Sequence, residues 1–148
     1  MLEFVLPMDQ QAVKQLLPHR DPMLFVDRVT RFQTDKISIE SDILPEDPHF
    51  KGHFPGSPIL PGVIIVETNA QAGALLVNMM GELEDGEFMA FSSIDAAKFK
   101  KPVYPNETLL VDVEIVKRRG PFYRFAGHAT VNGKTVAKVD FSAAKMAF

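Results

Sequence analysis

Residues 52–80, GHFPGSPILPGVIIVETNAQAGALLVNMM, run from a glycine- and proline-studded loop into a long apolar helix about which the flanking elements are arranged. Pro61 can stand in the first helical turn without losing a hydrogen bond. Nothing from Gly62 to Met80 then breaks the helix before Gly81 and the acidic GELEDGE segment. Between Lys51 and Glu82 only His53 and Glu67 can carry charge. A helix that is apolar nearly all round is normally buried, and a buried carboxylate is costly unless it is neutral or paired. Glu67 therefore reads as part of a site, and the stretch as more than core.

Upstream, Asp9 precedes Ala12, Val13, Leu16 and Leu17 and predicts a short capped helix stopped by Pro18. Two β-like runs follow, Met23 to Phe32 and Lys36 to Leu44, joined by the polar turn Gln33-Thr34-Asp35. From Pro45 to Pro61 five prolines mixed with glycines predict a loop of fixed shape that carries His53. Downstream the period changes to two. Phe88 to Phe99 is strand-like, Leu109, Val111, Val113 and Ile115 alternate with polar residues, and Asn132-Gly133 marks a hairpin. The order helix, two strands, central helix, four strands predicts one α+β domain over 1–148, its antiparallel sheet curled around the long helix. Ala70, Gly73 and Ala74 form a small-residue patch expected to admit a second subunit, so a homodimer is expected.

Composition narrows the function classes. With 46% hydrophobic and 24% charged residues the chain is globular rather than disordered. It has no cysteine, which excludes disulfides, thiolate metal sites and a cysteine nucleophile, and which fits a reducing compartment. The opening MLEFVLPMDQ lacks a basic segment and a long apolar run, so no signal peptide and a cytoplasmic location are expected. A formal charge of −3 argues against a nucleic-acid partner. Glu67, Asn69, Gln71 and Asn78 interrupt the helix where a membrane span would be apolar, so no membrane partner is expected.

An imidazole and a carboxyl group in a mostly apolar pocket suit acid-base work, because desolvation disfavours the charged carboxylate while histidine exchanges protons near neutrality. The amides at the helix start, Gly62 with Val63 beside it, are unpaired donors at the positive end of a helix dipole and could hold a developing oxyanion. Together these suit proton abstraction next to a carbonyl. Ser57 stands in no nucleophile-elbow motif, so serine hydrolase chemistry fits poorly. A metal site on His49, His53 and Glu46 is not expected, because the prolines argue against the helix that would align the two histidines.

Leu17-Pro18-His19-Arg20, Pro22, LFVDRV at 24–29, GHFPG at 52–56, Leu60-Pro61-Gly62-Val63, Glu67, Ala70-Gln71, Ala97-Lys98-Phe99 and Pro102-Val103 span nearly the whole chain. Together they resemble the 3-hydroxyacyl-[acyl-carrier-protein] dehydratase family of bacterial type II fatty acid synthesis. The resemblance implies a hot-dog fold, with His53 abstracting the α proton, Glu67 helping the 3-hydroxyl leave as water and the Gly62 amide polarising the thioester carbonyl. It implies no metal or other cofactor. It also implies an acidic acyl carrier protein presenting a phosphopantetheine thioester, for which Lys98, Lys100 and Lys101 are the candidate docking surface and Arg118 and Arg119 a weaker one. Chain geometry leaves open whether His53 reaches the Glu67 of its own chain. The resemblance implies that it faces the Glu67 of a two-fold partner, in a homodimer or a trimer of such dimers. Asp21 stands where the family usually has an aromatic residue, Thr68-Asn69 where it has alanine-methionine and Asn106-Glu107 where it has glycine-aspartate. Thr68 and Asn69 are expected to add polarity beside the site. A hot-dog thioesterase and a noncatalytic acyl-binding protein remain the rival readings.

Overall fold

The computed structural model describes residues 3–148. The first helix, α1 (Gln10–Leu16), is capped by Asp9, whose carboxylate accepts from the Ala12 amide at 2.9 Å, and it ends ahead of Pro18. Six strands follow in chain order: β1 (Arg28–Gln33), β2 (Lys36–Asp42), β3 (Glu87–Phe99), β4 (Thr108–Arg119), β5 (Phe122–Val131) and β6 (Lys134–Ala147). They form one antiparallel sheet in the order β1-β2-β4-β5-β6-β3, so β3 is carried across to the far edge beside β6. Asn132 and Gly133 both take positive φ at the β5–β6 turn, as the Asn-Gly pair predicts.

The central helix α2 (Gly62–Met79) packs on five of the strands, β2 through β6, with Leu75, Leu76, Val77 and Met79 wholly buried. This is the hot-dog arrangement, a sheet wrapped around one long helix. Pro61 is the N-cap rather than the first helical residue, and Gly81 adopts positive φ just beyond the other end. Within the small-residue patch, Gly73 is used differently from the expectation. Gly73 lies against the chain's own sheet, where a Cβ would stand 3.2 Å from the rings of Phe125 and Phe141, so its smallness serves those stacked phenylalanines and leaves it no surface for a second subunit. Thr68 and Asn69 are also turned inward. Their side chains donate to the carbonyls of Ile64 at 2.7 Å and Ile65 at 2.8 Å, so they add no exposed polarity beside the site.

Asn69 imposes a glycine on the facing strand. Its Oδ1 is buried without a hydrogen-bond partner, and a Cβ on Gly127 would meet it at 1.9 Å. Gly127→Ala should therefore cost about 1–3 kcal/mol of stability by overpacking. The cost should fall in an Asn69→Ala background, where the nearest remaining group is the Val139 carbonyl at 3.3 Å. Denaturant midpoints of the four proteins measure this coupling, and an undiminished cost would mean that Asn69 is not the obstacle.

The first β-like run is shorter than its composition predicts, since β1 begins only at Arg28. Residues 23–25 instead bond to the Gln71 side chain: its Nε2 donates to the Met23 carbonyl at 2.7 Å and its Oε1 accepts from the Phe25 amide at 2.9 Å. Asp27 holds the junction to β1, accepting from Gln10 Nε2 at 3.1 Å and from the Asp42 amide at 2.6 Å. Burial pushes the Asp27 carboxyl above its ordinary range, against the opposing pull of the Asp42 amide. The Arg28 guanidinium beside Asp42 holds that carboxyl below the usual range. The LFVDRV stretch is thus tied to the central helix through Phe25, to α1 through Asp27 and to β2 through Asp27 and Arg28.

Candidate active site

Glu67 stands on α2 one helical turn beyond Val63, on a stripe the sheet does not cover: Val63 is 73% exposed and the Glu67 side chain 25%. The apolar neighbours of Glu67 in sequence predict deeper burial than this. They belong to the other faces of the helix, which the sheet covers. The carboxylate is nevertheless held, because Oε2 accepts from Gln71 Nε2 at 2.9 Å and lies 3.6 Å from His19 Nε2. Gln71, 1% exposed, therefore ties Glu67 and the Met23–Phe25 segment to one amide group. The sequence alone gives neither Gln71 nor His19 a part in the chemistry, although both stand in stretches that carry the family resemblance. The available signal was the i, i+4 spacing of Glu67 and Gln71, which puts both on one face of a helix.

His53 sits in the proline-rich loop, whose fixed shape includes a 3₁₀ turn (Pro48–Lys51) that the prolines alone do not predict. Its own amide donates to the His49 carbonyl at 3.1 Å, its carbonyl accepts from Ile59 at 3.0 Å, and Leu60 is tied to Val103 at 2.8 Å. The ring stacks on Phe54 with centroids 4.1 Å apart. His53 Nδ1 lies 2.8 Å from the Ile59 carbonyl oxygen. A carbonyl can only accept, so Nδ1 carries the hydrogen and Nε2 is left with its lone pair free to take a proton. His49 lies one turn earlier with its ring against Phe50. Burial lowers its proton affinity, a neighbouring Asp47 works against that, and His53 adds to it.

Gly62 and Val63 begin α2, so their amides precede the first intrahelical donors. Gly62 is closely covered: a Cβ there would lie 3.0 Å from the ring of Phe99, a half-exposed residue at the end of β3. The loop, the helix start and the end of β3 thus converge on one end of α2. Among the described residues no contact within 4 Å joins the charged atoms of Glu67 and His53, and the imidazole nitrogen that approaches Glu67 is His19 Nε2. The three candidate docking lysines are all exposed. Lys98 lies opposite Lys138 of β6, while Lys100 and Lys101 follow β3 and donate their amides to the Val136 carbonyl. An open groove of about 1010 Å³ crosses the outer face of the sheet past Lys98, Lys138, His128 and Asp112, and it touches neither His53 nor Glu67.

The FabA-like domain family matches residues 17–140, a span that contains His19, His53, Gly62, Val63, Glu67 and Gln71. The chain belongs to this family. It is similar to the 3-hydroxyacyl-[acyl-carrier-protein] dehydratase FabZ of Anaeromyxobacter sp. (strain Fw109-5), 46% identical over 92% of this chain and 89% of that protein. It is also similar to the enzyme of the same name from Blochmanniella pennsylvanica, 44% identical over 91% of each. Among solved structures it is similar to the dehydratase heterocomplex ApeI:P from Xenorhabdus doucetiae, with a TM-score of 0.77 and 16% identity over 97% of this chain and 93% of that one. A hypothetical thioesterase from Streptococcus pneumoniae, seen with coenzyme A, has a TM-score of 0.63 and 12% identity over 80% and 84% of the two chains. At these identities the two structures share the fold alone. No helix among the described residues is long and apolar enough to cross a membrane.

Proposed function

We propose that this chain dehydrates 3-hydroxyacyl thioesters carried on acyl carrier protein, giving trans-2-enoyl thioesters for fatty acid or related acyl-chain synthesis in the cytoplasm. The observation that carries the reading is the His53 Nδ1 bond to the Ile59 carbonyl, which leaves Nε2 as the base. Nε2 takes the proton from the carbon next to the thioester, and the amides of Gly62 and Val63 hold the enolate-like oxygen that develops. The electron pair forms the new double bond as the bond to the 3-hydroxyl breaks, and Glu67 supplies the proton with which that hydroxyl departs as water. Passing the α proton from His53 back to Glu67 restores the starting state. No electrons are gained or lost, so the reaction calls for no redox cofactor. Incubation with a 3-hydroxyacyl carrier-protein thioester should produce enoyl absorbance without free thiol. Free thiol without enoyl product would make the protein a thioesterase, and neither signal would leave an acyl-binding protein.

The functional unit of this reading is a homodimer in which His53 of one subunit faces Glu67 of the other. Two observations support it. Glu67 pairs within its own chain with Gln71 and His19, not with His53. The Val63–Glu67 stripe is the part of α2 that the chain's own sheet leaves uncovered.

Lys98, Lys100 and Lys101 are the proposed docking surface for the acidic carrier. Charge reversal at Lys100 and Lys101 should raise KM for the carrier-bound substrate by about tenfold and hardly change that for a short pantetheine thioester. An equal rise for both substrates would show that the lysines act on the site itself.

A further inference from the structure

The LPHR stretch brings a second imidazole to the site, one that the pairing of His53 with Glu67 does not use. His19 follows the end of α1, and Arg20 ties the backbone that carries it to that helix. Arg20 Nη1 donates to the carbonyls of Leu17 at 2.8 Å and His19 at 2.6 Å, and Nη2 to that of Lys14 at 3.0 Å. The side chain is 28% exposed, but its Nδ1 is buried and has no hydrogen-bond partner. Nε2 lies 3.6 Å from Glu67 Oε2, the same oxygen that accepts from Gln71.

We propose that His19 is a positioning residue for Glu67: as the Nε2–H tautomer it donates to Oε2, so that with Gln71 it occupies that oxygen and leaves Oε1 to carry the proton given to the substrate hydroxyl. The proposal rests on the dehydratase reading above. A neutral imidazole has one N–H to place. On Nδ1 it would be a buried donor without an acceptor, whereas on Nε2 it meets a carboxylate oxygen. The present separation is slightly longer than a hydrogen bond, and catalytic contacts of this kind are often long in the free enzyme and tighten with substrate. An oxygen already accepting two N–H groups is a poor place for a further proton, so the acid proton belongs on the other oxygen.

His19 also lines a cavity of about 20 Å³ with Leu16, Leu17, Ala74 and Phe88, so a leucine in its place keeps apolar packing while removing the donor. Glutamine keeps an N–H near the position of Nε2. With a short 3-hydroxyacyl pantetheine thioester, His19→Leu should lose about tenfold in kcat, with KM and Tm near those of the wild type, while His19→Gln stays within about threefold. Equal losses in the two variants, no loss in His19→Leu, or a loss confined to KM or Tm would overturn the proposal.

A second measurement does not depend on turnover. In ¹⁵N-labelled protein the His19 ring should be the Nε2–H tautomer, and its signals should move in Glu67→Gln but not in His128→Gln, which alters a ring bonded to Thr135 on β6. An Nδ1–H tautomer, or signals indifferent to Glu67, overturns the positioning role whatever the activity. A wild type that shows the coupling but forms no enoyl product would retain the pairing and overturn the dehydratase reading alone.

Discussion

Glu67→Gln and His53→Asn should each lose about a hundredfold or more of the dehydration rate while melting close to the wild type. The two substitutions are chosen to spare the structure. Glutamine is nearly isosteric with Glu67 and keeps a carbonyl oxygen to accept from Gln71 Nε2, but it has no proton of suitable acidity for a departing hydroxyl. Asparagine at position 53 keeps an N–H near the place of Nδ1, so the bond to the Ile59 carbonyl and the loop shape that depends on it can survive. What it lacks is the Nε2 lone pair. His53→Ala removes both, and should add to the same loss of rate about 1 kcal/mol of stability for the missing hydrogen bond. Turnover of enoyl product and thermal melts separate these effects. A variant at either position with near-native turnover would remove that residue from the mechanism.

Mixing two inactive proteins should restore activity. If His53 of one subunit works with Glu67 of the other, co-refolding equal amounts of His53→Ala and Glu67→Ala chains makes half of the dimers mixed. Each mixed dimer has one site with both groups intact and one with neither, so about a quarter of the native activity should return. The fraction is the same whether the dimers stand alone or assemble into trimers of dimers. The expectation comes from the family resemblance, and it fits the surroundings of Glu67, whose partners within its own chain are Gln71 and His19, while the loop holding His53 is braced against Val103 and its own turn. Proteins that stay inactive after verified subunit exchange would put both groups in one chain's site. Of the small-residue patch, Gly73 faces Phe125 and Phe141 and Ala74 is buried, so only the half-buried Ala70 is left to meet a second subunit. The support comes instead from the uncovered side of α2 that carries Val63 and Glu67.

Much of this protein is legible in its residues because its signals are local. Pro61 and Gly81 bracket α2, Asp9 caps α1, Asn132-Gly133 turns β5 into β6, and the change of period beyond residue 87 separates helix from strand. His53 and Glu67 were visible as candidates for the same reason: they are the lone ionisable groups in an otherwise uncharged stretch.

What the residues did not disclose was which neighbours each of them would meet, since that depends on contacts between segments far apart in the chain. The run from Met23 looks like strand throughout, yet its first residues bond to Gln71, 46 positions from Phe25, instead of to a neighbouring strand. The composition around Glu67 predicts burial, but a helix wrapped by one sheet keeps an uncovered side, and the position of Glu67 around the helix axis put it there. Thr68 and Asn69 look like additions to the site and turn into the core for the same reason, with Asn69 requiring glycine at position 127. His19 stands in the LPHR stretch that carries the family resemblance, but nothing local gives it a part in the chemistry. Only the packing of α1 against α2 brings it to the carboxylate. The sequence by itself determined the elements and the chemistry-bearing groups, because capping, turn and periodicity signals act over a few residues. The tertiary structure decided the tautomer of His53, the exposure of Glu67 and the company of Gln71 and His19, because hydrogen bonding and burial depend on distances that no local pattern encodes.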